Sequence, residues 1–144
     1  MNIENKITPE EYNKIIKGIA LKDIRLISNN SNVKYDEVHL ALSNKIPLKI
    51  HIAEDIKNNI SDGNLIVTVA FKVTCKHERR CLFNMNAVYE VRYQSSEKIN
   101  QEFADMFSTS TVSNQIWPFL RDWIATTTLM MGVPRLLIGL RIQF

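Results

Sequence analysis

The chain has 144 residues, 45% of them hydrophobic, which is enough for one domain with a real core and too few for two. A formal net charge of +3 is small for this length and points to an ordinary solvated surface, not to nucleic acid or anionic membrane as a partner. The N-terminus interleaves charges with its apolar residues and has no secretory h-region. The longest charge-free apolar run, Trp123 to Val133, falls short of the ~18 residues a membrane span needs. A cytosolic protein is expected, with Cys75 and Cys81 as reduced thiols.

In chain order, Thr8-Pro9-Glu10-Glu11 predicts a helix start: a cap, a proline at the first helical position and two acids at the positive end of the dipole. Tyr12, Ile15, Ile16 and Ile19 continue it at helical spacing to about Gly18. Lys22 to Ile27 reads as a half-buried strand with Ile24 and Leu26 inward, running into a turn at Ser28–Asn32. Val33 to Lys45 has a weak apolar pattern through Val38, Leu40 and Leu42, and reads as either a strand or a crossover loop. Pro47 to Ile52 alternates with Leu48, Ile50 and Ile52 inward, and Asn58 to Asn64 reads as a turn region.

Two long strands follow. Leu65–Cys75 carries Leu65, Val67, Val69, Phe71 and Val73 on one face, and Leu82–Tyr93 carries Phe83, Met85, Ala87, Tyr89 and Val91. The polar link Lys76–Arg80 makes them a hairpin at the centre of the sheet. Glu97 to Phe107 predicts a short helix that stops in Ser108–Ser113. A long helix then starts near Ser113 or Asn114, with Pro118 in its first turns, and ends at Gly132-Val133-Pro134. After Pro134 the apolar tail reads as an extended segment.

The long helix is the most informative element. Ile116, Phe119, Leu120, Trp123, Ile124 and Met131, with Trp117 and Met130, span roughly 160° of its circumference, against the ~100° stripe of a surface helix. One sheet does not cover so wide an arc, so one flank is expected on the chain's own sheet and the other on a second subunit. Ile116, Trp117, Phe119, Leu120, Trp123, Ile124 and Met131 are therefore the expected oligomer interface. The architecture that results is α+β: a four-stranded antiparallel sheet followed by a long C-terminal helix packed on one face.

Catalytic chemistry is not visible. Cys75-x-His77-x3-Cys81 has none of the usual zinc-ligand spacings, and a cysteine nucleophile would lack a fixed base. No glycine-rich phosphate loop exists, and the adjacent acid pairs would point to opposite faces of a strand. No cofactor is expected. Lys76, Arg79 and Arg80 form a basic turn that reads as a charged hairpin tip, with a phosphate-binding module as the weaker alternative. A small-molecule enzyme or binder of the hot-dog type would place its helix early, between strands, with an acid or histidine at its start. Here the helix comes last and begins at Asn114-Gln115.

From about Gly18 onward the sequence resembles the SecB export chaperones. Ile19-Ala20-Leu21-Lys22-Asp23-Ile24 is similar to the family's opening strand and Pro47-Leu48-Lys49-Ile50 to its second. Asn114–Arg121, followed at the right distance by Gly132-Val133-Pro134 and Leu136-Leu137, resembles its long helix and helix-connecting loop. The resemblance implies a single domain over residues 1–144, with residues 1–18 as an extra N-terminal helix. It implies a homo-oligomer, tetramer or dimer, with no enzymatic activity and no cofactor, that holds non-native polypeptides in apolar grooves. Some such chaperones deliver clients to the SecA translocation ATPase, and others serve an antitoxin. Asp23 and Leu82 fall at the family's translocase-docking patch, whereas two positions acidic in the export chaperones are Ile27 and Asn84 here. The chain also reaches Phe144 about where the typical member begins a further C-terminal helix, a groove wall the N-terminal helix is a candidate to replace. The loss of docking charge favours the antitoxin subtype. Clients are expected along Val38, Leu40, Leu42 and Ile46 and along Val133, Leu136, Leu137 and Leu140, apolar segments without evident internal partners.

Overall fold

The central hairpin forms as its alternation requires. In the computed structural model, which describes residues 7–133, β3 (Asn64–His77) and β4 (Arg80–Ser95) pair antiparallel, with Val67 opposite Val91, Val69 opposite Tyr89 and Val73 opposite Met85. These facing side chains are all buried. Each contributes roughly 1.5–3 kcal/mol by leaving water.

β1 (Ile19–Val33) flanks β4 and β2 (Lys49–Ser61) flanks β3, giving an antiparallel sheet in the order β1-β4-β3-β2. Both edge strands outrun their sequence patterns. Ser28–Asn32, expected as a turn, stays in the ladder opposite Val88 to Asn84, and the Asn86 amide donates to Asn30 Oδ1 at 3.0 Å. An edge strand tolerates such residues because its polar side chains remain wet while its backbone pairs on one side. Likewise Asn58–Ser61 belongs to β2, and the turn is confined to Asp62 and Gly63, both at positive φ. Register shifts at Leu21/Asp23 and Leu26/Ser28 mark two bulges in β1.

The stretch left open between strand and loop contains a helix, α2 (Tyr35–Ser43). Its Val38 and Ala41 are buried. A register shift at Cys75/Lys76 leaves Leu82 without a cross-strand partner beside Phe83, and both side chains are buried in the core. Phe83 belongs to the row facing the long helix, and Leu82 shares a cavity wall with Ala41 of α2. α2 therefore packs over the hairpin end of the sheet, with Tyr35 beside Gly132 past the end of the long helix.

Across the sheet lies one helical rod from Gln101 to Met130: α3 (Gln101–Phe107), a π-helical segment Ser108–Val112, and α4 (Ser113–Met130). No break occurs in the Ser/Thr-rich stretch. Thr109 Oγ1 donates to the Asp105 carbonyl at 3.0 Å and Ser110 Oγ to that of Met106 at 2.6 Å. The hydroxyls that signal a loop in sequence thus bond back along the helix and widen it locally. Asn100 caps the rod, accepting from Phe103 N at 2.8 Å, and Pro118 sits inside it. The C-terminal stop is the expected one: Gly132 at φ 76, with Val133 N donating to Thr128 O at 3.3 Å.

α1 (Pro9–Gly18) is capped by Thr8, whose Oγ1 accepts from Glu11 N at 3.2 Å. Its Tyr12 ring lies 4.9 Å from that of Phe103 in α3. It therefore packs at the end of the rod remote from Val133. The expected extended segment after Pro134 lies outside the described residues.

Candidate functional site

Among the described residues two apolar surfaces stand open, one beside α4 and one on α2. The first lies between β1 and α4. α4 crosses the sheet towards the β1 edge, tied by the Tyr93 hydroxyl donating to Gln115 Oε1, by Tyr89 Oη donating to the Phe119 carbonyl at 3.4 Å, and by Trp123 Nε1 donating to Asn29 Oδ1 at 3.1 Å. Burial, with the Asp122 carboxylate nearby, pushes the Tyr89 phenol up to about 12, so it remains a neutral donor. The groove beside these ties holds about 570 Å³, and Leu26, Phe119, Trp123 and Met130 supply its apolar walls.

This geometry divides the expected interface residues. Ile116, Leu120 and Ile124 are fully buried and Trp123 nearly so, all four in the chain's own core. Trp123 still reaches the wall of the open groove, whereas Ile116, Leu120 and Ile124 are covered within the same chain. Trp117 and Met131 are half-buried against that core, whereas Phe119 is 46% exposed and its neighbour in the groove, Met130, 80%. The open flank is therefore narrower than the sequence arc and centred on Phe119 and Met130.

The second surface is α2 and the segment after it. Leu40 is 62% exposed and Leu42 also stands in solvent, with Ile46 half-buried between helix and sheet. Val38 and Val133, expected to touch clients, are core residues at 2% and 8% exposure. Leu136, Leu137 and Leu140 lie outside the described residues. Under α2 a cavity of about 100 Å³ reaches the β3–β4 hairpin, and an ion pair from Arg80 to Glu37 Oε1 spans it. Nothing in the sequence signals that pair, whose partners lie 43 positions apart.

The translocase-docking positions separate as well. Asp23 is half-buried on β1 and accepts an ion pair from Arg25. Leu82 is buried at 3% exposure beneath α2, so it presents no surface to a docking partner.

The remaining candidates resolve into packing. Burial, with Cys81 beside it, pushes the Cys75 thiol up to about 11, and Cys81 Sγ donates to the Phe83 carbonyl at 3.3 Å. Among the described residues no three His, Cys, Asp or Glu side chains converge as a metal site, and no helix is long and apolar enough to cross a membrane. Of the basic turn, Arg80 is engaged by Glu37.

A four-stranded antiparallel sheet in the order β1-β4-β3-β2 with a long helix laid across it is a SecB-like fold. The SecB-like chaperone Rv1957 of Mycobacterium tuberculosis, in complex with a ChAD peptide from the Rv1956 HigA1 antitoxin, matches it with a TM-score of 0.75 at 11% identity, over 89% of this chain and 94% of that one. A protein of unknown function from Streptococcus agalactiae gives a TM-score of 0.44 at 11% identity, over 84% and 96%. No family model matches the chain, and no curated protein matches its sequence.

Proposed function

We propose that this chain is a holdase chaperone. It assembles with itself along the β1/α4 flank and holds non-native polypeptide, an antitoxin segment among its clients, along α2 and the residues that follow. The observation that carries the reading is apolar surface left open in two places, Leu40 and Leu42 on α2 and Phe119 and Met130 on α4. Contiguous apolar surface of this kind marks binding of other chains. The peptide seen with Rv1957 supports a polypeptide client on this fold. Burial of Leu82, together with Ile27 and Asn84 at positions that are acidic in export chaperones, weighs against delivery to SecA.

The chemistry is association without bond-making. Client apolar side chains leave water at roughly 25 cal/mol per Å², less the cost of ordering the client. The test is suppression of aggregation of a chemically unfolded client. The wild-type chain is expected to protect at stoichiometric ratio, and Leu40→Asp/Leu42→Asp to lose most of that protection while keeping its circular dichroism spectrum. Absence of protection by the wild-type chain refutes the reading.

A further inference from the structure

The cavity under α2 contains an unmatched acceptor. Glu37 lines it, and while Arg80 binds Oε1, Oε2 is buried with no hydrogen-bond partner among the described residues. Asn44 and His77 line the same cavity without bonding that oxygen. The Glu37 side chain is 35% exposed while this one oxygen is out of water, so the site gains from a ligand that enters from solvent and brings an N–H or O–H. Leu40 and Ile46 wall the cavity, and Leu40 is largely exposed, so the cavity adjoins the surface assigned above to clients.

We infer that this cavity is a side-chain subsite for the bound polypeptide, and that it selects a short neutral hydrogen-bond donor, Asn, Gln or Thr, set among apolar residues. Three observations fix that class. At about 100 Å³ the cavity is smaller than the ~150 Å³ that holds benzene, which excludes aromatic rings. Arg80 already balances the Glu37 charge, so a second cation would face an arginine without a free carboxylate to reward it. A client carboxylate has only acceptors to offer Oε2 and is repelled by it. The inference deepens the holdase reading and rests on it.

The test uses the full chain and three labelled peptides, Gly-Ser-Leu-Val-X-Val-Leu-Ser-Gly, with X = Asn, Asp or Leu, titrated by fluorescence anisotropy. The Asn peptide is expected to bind about tenfold more tightly than the Asp peptide, with Leu between them. The chain's net charge of +3 would favour Asp, so this order cannot come from overall electrostatics. Glu37→Gln, whose amide offers a donor as well as an acceptor, should bring Asn and Asp within about twofold of each other. Ile46→Trp, which fills the cavity from its wall, should do the same and serves if Glu37→Gln unfolds. Equal affinities in the wild-type chain, or an Asn preference that survives both variants, overturn the subsite and leave the holdase reading standing. Peptides that fail to bind a chain that still suppresses aggregation also overturn the subsite alone. Loss of both activities overturns the holdase reading and the subsite with it.

Discussion

Gly132 shows how a single backbone angle ends the long helix. It sits at φ 76, and a Cβ there would come within 3.2 Å of the Tyr35 ring. Gly132→Ala is therefore expected to destabilise the fold by about 1–2 kcal/mol from the backbone alone, and further from the clash. Urea denaturation measures both parts, because a Tyr35→Ala background should recover the steric part and leave the backbone part. Asp105 gives a pH signature at the same scale. Asn58 Nδ2 and Gln101 Nε2 donate to its Oδ1 at 2.9 and 2.8 Å, and these bonds hold its carboxyl below the usual range. A depressed native pKa adds stability above the unfolded value of about 3.9, and that stability is lost as pH falls through the native value. The urea midpoint of wild type should thus exceed that of Asp105→Ala at pH 6, with the gap narrowing below about pH 4.

At the scale of elements, α4 separates core from open surface within one turn. Leu120 is fully buried and Phe119 is not. Leu120→Ala is expected to cost about 2–5 kcal/mol in thermal or chemical denaturation, and Phe119→Ala well under 1 kcal/mol. How far the elements could be read in sequence followed the physics of each. β3 and β4 were legible along most of their length, because a strand buried on one face must alternate, and theirs does so from Leu65 to Val73 and from Phe83 to Tyr93. The second halves of β1 and β2 were not, because an edge strand meets water along one side and accepts the Asn and Ser that otherwise mark turns. α2 was obscured by its shortness: only Val38 and Ala41 are buried, too few to set a 3.6-residue period. The rod from Gln101 was split in the reading because hydroxyls that bond to their own helix carry the same letters as hydroxyls that end one. Of the candidate surfaces, the exposed Leu40 and Leu42 were legible as apolar residues in polar company, and Phe119 as part of an arc too wide for one sheet. The buried Val38, Leu82 and Ile116 looked the same in sequence, since only the arrival of a distant element distinguishes a core residue from an open one.

For the whole molecule, the open groove beside α4 and the surface on α2 are built from different side chains, so self-assembly and client holding need not compete for them. Light scattering checks this division. The wild-type chain is expected to run as a dimer or tetramer, and Phe119→Asp/Met130→Asp to fall to a smaller mass with its circular dichroism spectrum unchanged. Leu40→Asp/Leu42→Asp should leave the mass alone. A wild-type monomer would remove the self-assembly half of the proposal. The order of the elements also bears on how the protein is made. Its sheet is complete at Ser95, while the rod that shelters the apolar face of that sheet ends only at Met130. At ~5–20 residues per second the ribosome needs roughly 2–7 seconds to supply the difference. For that interval the nascent polypeptide displays a bare greasy sheet, the same hazard it is proposed to relieve in others, so its own biogenesis is a natural first place to look for dependence on an already finished copy.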